Sequence, residues 1–475
     1  MPLILGANSV SGYTVKNSLR FNSGSSDYLS KNSWATATSD KIFTYSTWVK
    51  RSQLANTERL FGAYAGSPQV YSCDLSFTSN NGYIEFTFGG ASAYDIVTNA
   101  MFRDISAWYH VVLAVDTTQA TSSNRIKIYV NDTLQTLQTA NYPPQNTTYQ
   151  VFRNNNANLI GSAWNGAAYY TGYMSETYFI DGQALTPSSF GETDEDSGIW
   201  KPKAYTGTFG TNGFYLDFED SANLGNDMSG NNNDFTVNNL TSIDQTTDTP
   251  TNNFATMNPL LNRYSSGTGY LITFSEGNLK TTADNTSVYT NTGGTFQLTQ
   301  GKWYWEAKNG GTGYTSFPTA CSIGIHDLAA GFNGTAGTDT LVRGYNADGT
   351  KNSNDSTSSY GNSFVSGDII MVALDLDNGK IWFGKNGTWQ NSGSPTGGTN
   401  AAFTDLLSVS ATGWSPWTQG YRGSSGVNVV FEWNFGNPPY SANSYADANG
   451  YGNFSYSVPS GYYALCTKNL YQYGF

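Results

Sequence analysis

Histidine and cysteine are almost missing from this chain. Two histidines, His110 and His326, and three cysteines, Cys73, Cys321 and Cys466, occur in 475 residues. So few histidines remove histidine-rich zinc sites and leave few routes to a His-based catalytic triad. The cysteines stand far apart, with no CxxC pair and no even-numbered framework, so they read as small buried apolar residues. Charge is scarce too, at 12% of residues, and what there is leans one way. Lys and Arg number 23 against 35 Asp and Glu, a formal net charge of −12. A polyanion repels phosphate backbones and anionic headgroups, which argues against nucleic-acid binding and membrane adhesion. The longest apolar run, IIMVAL at Ile369–Leu374, suits one buried strand and falls far short of a membrane span. The start, MPLILGANSVSG, has no basic region and too short an apolar segment for a signal peptide. The expectation is a protein made in the cytoplasm that stays there or leaves by lysis.

What the chain has is aromatic and turn-forming. Aromatics make up 15%, with 33 tyrosines, and there are 51 glycines. Strong helix formers are scarce, and Gly, Asn, Ser and Thr punctuate short runs bearing Tyr, Trp, Phe and Val. That is the pattern of strands joined by turns. Strand candidates include SLRFN (Ser18–Asn22), FTYSTWVKR (Phe43–Arg51), RLFGAY, YIEFTFGG, WYHVVLAVD, NRIKIYVND (Asn124–Asp132) and GYMSETYFIDG. The one helical scrap is TPSSFG, where Thr186 is placed to cap a turn that starts at Pro187. A Thr-, Asp- and Pro-rich stretch, TSIDQTTDTPTNN (Thr241–Asn253), reads as a linker. Strands resume with GKWYWEAKNG, where Trp303 and Trp305 share one face and Tyr304 and Glu306 the other. ACSIGIHD, a long polar loop over Leu328–Ser363, GDIIMVALDLDNGKIWFGKNGTW, VNVVFEWNFG and GYYALCTKNL follow.

The first set of blocks, STWVKR, WYHVVLAVD, RIKIYVND and GYMSETYFIDGQALTPSSF, resembles laminin-G-like, concanavalin A-type lectin sandwiches over about residues 15–190. The second set, with its Gly-Lys-x-Tyr-Trp-Glu block, Phe-x-Lys-Asn-Gly turn and later FEWNFG, resembles the SPRY domain over about residues 260–470. The two resemblances together imply an all-β chain of two tandem antiparallel β-sandwiches, a concanavalin A-like jelly roll followed by a SPRY-like sandwich. The expected division is an arm over 1–14, a first sandwich over 15–240, a linker over 241–258 and a second sandwich over 259–475. Val111–Asp132 and Met371–Gly387 also echo one another, each an apolar strand ending in Asp, a turn and a mixed strand, which fits two sandwiches of related topology or, as the alternative, chance similarity between β-hairpins.

Candidate chemistry is sparse. Laminarinase-like members of the first fold need paired carboxylates, set by a Glu-x-Asp-x-x-Glu strand motif. The nearest match, ETDEDS, offers Glu192 and Asp194 but has Ser197 where the last Glu belongs. LDFED offers Asp217 and Glu219 without a third acid. Within VALDLDNGKIWFGKNGTW (Val372–Trp389), Asp375 and Asp377 read as hairpin residues, Ile381 and Phe383 as inward-facing, and Trp382 as outward-facing. The oxygen-rich loops Asp227–Phe235 and Asn346–Ser356 are calcium suspects that match no EF-hand spacing, so no cofactor and no metal ligand is assigned. The aromatic loop GWSPWTQGYRG, with Trp414, Trp417 and Tyr421, is the foremost ligand-binding candidate, and Trp389 is a further one. Burial of Trp414 or Trp417 in the sandwich is the competing reading.

The pairing of these two folds resembles virion proteins of tailed bacteriophages. The resemblance implies a non-enzymatic fibre or surface appendage that binds host-surface glycan, with avidity compensating for shallow sites. Other virion proteins would be its partners, the N-terminal arm its attachment segment, and a homo-oligomer, a trimer foremost, its assembly. A purely structural capsid or tail decoration protein and a glycan-cleaving depolymerase are the alternatives.

Overall fold

A computed structural model describes residues 12–64, 73–89, 94–149, 151–153, 157–163, 166–261, 263–264, 272–283, 289–311, 321–327, 341–353, 356–410, 412–421 and 428–474. The chain divides between Thr251 and Asn252 into two units. Nearly all regular structure is strand, as the turn-punctuated aromatic pattern predicts. Among the described residues, no helix is long and apolar enough to cross a membrane.

The first unit stacks two eight-stranded antiparallel sheets. One sheet orders Ile126–Val130, Trp108–Asp116, Ile42–Arg51, Gly172–Asp181, Ser18–Phe21 and Gln245–Thr246 side by side. The other orders Leu137–Asn141, Tyr94–Met101, Tyr83–Phe88, Cys73–Phe77, Glu58–Tyr64, Ala157–Ile160, Tyr28–Lys31 and Thr236–Asn238. Period-two alternation sends Phe43, Tyr45, Leu113, Leu75, Phe86 and Ile96 into the space between the sheets. The back of the first sheet is apolar as well. Val112, Tyr178 and Ile180 are buried there with Phe190, and Leu185, Tyr205 and Phe209 pack against them. The second sheet carries polar residues on its back, including Arg59, Tyr83, Glu85, Thr87 and Asp95, all partly exposed. Among the described residues, one face is thus roofed by apolar side chains and the other carries partly exposed polar ones.

The second unit repeats the plan with a seven-stranded and an eight-stranded sheet. Lys302–Asn309 lies between Ile369–Asp375 and Val429–Asn434. Trp303 and Trp305 enter the inter-sheet core while Tyr304 faces a second cluster on the sheet's back, the alternation read from the sequence. Ile369–Asp375 and Lys380–Lys385 form the expected hairpin. Ile381 and Phe383 point into the core and Trp382 packs with the back cluster.

Four readings are corrected. The segment read as a linker is packed. Ser242–Asp244 forms a 3-10 turn with a capping box, Gln245–Thr246 pairs with Ser18–Leu19, and Asp248 is fully buried. Phe254, Ala255 and Met257 are buried in the second unit. Composition misleads there because the segment's polar side chains find partners from distant strands. The long loop read over 328–363 contains Val342–Asn346, Thr350–Ser353 and Ser356–Ser359, strands too polar to show alternation. The strand read in GYYALCTKNL is only Tyr463–Ala464, after which Thr467–Tyr473 is helical. The turn at Pro187–Ser189 forms, but Thr186 makes no capping bond, its hydroxyl meeting Ser188 Oγ at 2.9 Å. Of the expected N-terminal arm, all before Gly12 lies outside the described residues.

Candidate functional site

The aromatic loop expected at Gly413–Gly423 is a strand, Ser415–Tyr421, between Tyr289–Gly293 and Cys321–His326. Trp414 is 2% exposed in the inter-sheet core and gives its indole N–H to the Leu406 carbonyl at 3.2 Å. Trp417 is 1% exposed. Three residues apart on a period-two element, the two rings take opposite faces. Trp417 lies opposite Gly293 and Gly324 and donates to Asn291 Oδ1 at 3.2 Å. Gly344 makes room for it, since a Cβ there would come within 3.2 Å of the ring. Neither tryptophan is offered to a ligand. The backbone of Tyr421 closes the strand, and its side chain lies outside the described residues. Trp389, past the second hairpin turn, is partly buried, edge-on to Tyr304 at 6.5 Å.

The acids singled out from sequence are structural in their contacts. Asp375 accepts from Asn378 N and Nδ2 at 3.0 and 2.9 Å and pairs with Lys302, while Asp377 accepts from Gly301 N at 2.8 Å. Asp217 and Glu219 do not share a strand face. The strand ends at Leu216, and Phe218 sits at φ 59°. Glu219 meets Lys16 at 2.8 Å, and Lys201 lies 3.6 Å from Glu192 and 3.0 Å from Asp194. Asp227, in the first calcium suspect, spends its carboxylate on donors, namely Tyr215 N, Ser229 N and Oγ, and Asn233 N. In the second, Asp348 accepts from Thr350 N and Oγ1. Asp227 and Asp348 each close a turn, and residues 354–355 of the second loop lie outside the described residues. Among the described residues, no His, Cys, Asp and Glu group has the arrangement of a metal site.

His110 and Ser46 do meet, Nε2 to Oγ at 2.8 Å, but not as base and nucleophile. Trp200 donates its indole N–H to Nδ1 at 3.0 Å, which leaves the ring proton on Nε2 pointing at the serine. The histidine thus donates to the hydroxyl it would have to deprotonate. Glu176, at φ 48° in a bulge of Gly172–Asp181, is likewise enclosed. Its carboxylate accepts from Tyr13, Tyr178 and Tyr215 hydroxyls at 2.9, 2.6 and 2.9 Å.

Sequence reading missed a different set of acids. Asp74, Glu85 and Asp95 come from three adjacent strands of the first unit and lie on the polar back of their sheet, Glu85 and Asp95 partly exposed and Asp74 buried. Register places Asp74 opposite Thr87 and Thr87 opposite Asp95, with Glu85 opposite Ser76 and Val97. Arg59 joins from the next strand, donating to Ser76 Oγ at 2.6 Å and lying 3.9 Å from Asp74. Burial pushes the Asp74 carboxyl up to about 6, against the pull of Arg59. Burial and then the charge of Asp95 raise Glu85, and burial raises Asp95. Each acid occupies one outward position of a short alternating strand (CDLSF, YIEFTF, YDIV), so no single-strand motif displays them. Only an overlay of consecutive strands would.

Residues 23–189 match the Concanavalin A-like lectin/glucanases superfamily, and residues 302–407 match the SPRY domain. The chain carries a concanavalin A-like domain followed by a SPRY domain. Solved structures similar to this chain include the SPRY domain of human HERC1, 20% identical, covering 37% of this chain and 96% of that one with a TM-score of 0.28. Another is the native heptameric SAP-like pentraxin from Limulus polyphemus, 15% identical, covering 37% and 80% with a TM-score of 0.29. A search of the curated proteins found no match. In the concanavalin A-like domain, the open face around Arg59, Asp74, Glu85 and Asp95 can accept and donate hydrogen bonds to a hydroxyl-rich ligand. In the second unit, Trp414 and Trp417 are spent on the fold.

Proposed function

We propose that this protein binds carbohydrate without cleaving it, through the open sheet face of its concanavalin A-like domain. The observation that carries this reading is the asymmetry of that sandwich. One back face is covered by Leu185, Phe190, Tyr205 and Phe209, while the other presents Arg59, Tyr83, Glu85, Thr87 and Asp95. Hydroxyls, carboxylates and a guanidinium on a polar sheet face suit the many weak hydrogen bonds of a saccharide. The test is glycan-array and host-cell binding by the full chain and by an Asp74→Asn/Glu85→Gln/Asp95→Asn variant of unchanged circular dichroism. Loss of binding in the variant supports the face. Retained binding moves the site elsewhere, and an intact protein that binds no glycan or cell favours a decoration role.

The setting we propose, a fibre or surface appendage of a bacteriophage virion that contacts other virion proteins and self-associates, rests on the resemblance of the paired sandwiches alone. Immunogold electron microscopy of particles tests it, and particles without label overturn it.

A second reading, glycan cleavage, has one observation in its favour. Asp74 lies across from Thr87, which is itself opposite Asp95, and burial moves the Asp74 carboxyl up to about 6, toward the range of a general acid. Reducing-sugar release that disappears in Asp74→Asn would establish it in place of simple binding.

A further inference from the structure

The Ile42–Arg51 strand ends in a lysine with an unusual neighbour. Lys50 lies across from Trp108 on one side and Tyr173 on the other. Its Nζ is 2.8 Å from Oδ2 of Asp248, 198 residues further along the chain. The two side chains are 1% and 0% exposed. Among the described residues, every other lysine paired with a carboxylate keeps at least 23% of its side chain exposed. The surroundings are aromatic. Trp48, Trp108 and Tyr173 form one buried cluster, Trp200 packs against it, and the Tyr173 ring centre lies 5.4 Å from Nζ.

Both partners are held. Lys50 sits in a strand paired on both edges. Asp248 gives its backbone N–H to Thr246 Oγ1 at 2.9 Å and takes the Ser18 hydroxyl on its carbonyl at 2.6 Å. Trp108 Nε1 donates to Asp248 Oδ1 at 3.1 Å, so each carboxylate oxygen has its own donor. An ion pair of this kind bears a large desolvation cost that its mutual attraction barely repays. Condensation removes that cost, because an amide carries no charge. Fixing amine and carboxyl in contact also replaces a bimolecular encounter with an intramolecular one.

We propose that Lys50 and Asp248 are joined by an isopeptide bond. One proton passes from Nζ to Oδ2 along their hydrogen bond, leaving a neutral amine and a carboxylic acid. The nitrogen lone pair attacks Cγ, and the charge that develops on Oδ1 is met by the Trp108 N–H. A second proton moves from nitrogen to Oδ2, the Cγ–Oδ2 bond breaks, and water leaves. The product is a secondary amide with one N–H, its Oδ1 still accepting from Trp108. No oxidant or co-reactant takes part. The bond ties residue 248 to a central strand and closes a loop of nearly the whole domain.

The experiment is intact mass spectrometry of the full-length protein under denaturing, reducing conditions, followed by tryptic mapping. The expected result is a mass one water below that of the sequence and a branched peptide joining the Lys50 and Asp248 segments. Trypsin then fails to cut after Lys50. Lys50→Arg, which keeps the cation but cannot condense in this way, restores the full mass. A wild-type mass equal to the sequence overturns the proposal, as does a water loss mapped to any other residue, such as a succinimide. The wild-type measurement decides the matter even if the variant fails to fold.

Discussion

Arg51 grips Glu58 with two nitrogens, Nη2 at 2.9 Å and Nε at 3.1 Å from Oε2, and both side chains are fully buried. Oε1 of Glu58 takes the Thr171 N–H at 3.0 Å, and Arg51 Nη1 donates to the Phe102 carbonyl at 2.8 Å. Four chain segments thus meet at one ion pair. Removing one partner strands the other charge in the interior, so Glu58→Ala is expected to cost about 3–5 kcal/mol. Urea denaturation monitored by tryptophan fluorescence measures it.

His110 makes the stability of the first domain depend on pH. Burial pushes its pKa down to about 3 from an ordinary 6.5. Between those values the unfolded chain takes up a proton and the folded chain does not, so stability rises with pH across the window and falls as pH drops through it. The slope from this one group is at most about 1.4 kcal/mol per pH unit. His110→Gln is expected to flatten a plot of unfolding free energy against pH by up to that amount, while ring loss lowers stability at neutral pH.

The open-face carboxylates predict the opposite sign. Asp74 keeps its proton to about 6 when folded but releases it near 3.8 when unfolded, so the folded state binds more protons between those values. Stability is present at the lower limit and is lost as pH rises through the window. Asp74→Asn is expected to raise stability at neutral pH on the order of 1 kcal/mol, while glycan binding falls. Denaturant midpoints below and above the window, set beside binding assays, check both halves.

Trp414→Ala and Trp417→Ala are expected to destabilise the second unit by about 3–5 kcal/mol each, as large core truncations do. Thermal unfolding of the full chain reads this out. A variant of either residue that kept full stability and lost ligand binding would contradict their burial.

Much of the architecture is legible in the sequence. Alternation in GKWYWEAKNG placed Trp303 and Trp305 inward, and the Asp-Asn-Gly and Asn-Gly turns placed the hairpin that ends at Trp389, because strand pleat and turn dihedrals are local properties of a few residues. What stayed hidden was non-local. The composition of Thr241–Asn253 says linker, yet Thr246 and Asp248 are buried by Ser18 and Lys50, residues some two hundred positions away. The WxxW spacing looks like an exposed aromatic loop until neighbouring strands bury both rings. Asp74, Glu85 and Asp95 become one site only when three strands align. The sequence by itself determined strand, turn and sandwich class, since these follow from side-chain period and backbone preference. Tertiary structure alone decided which polar residues meet and which aromatics are covered, because register across a sheet and the roofing of its faces are set by contacts between distant segments.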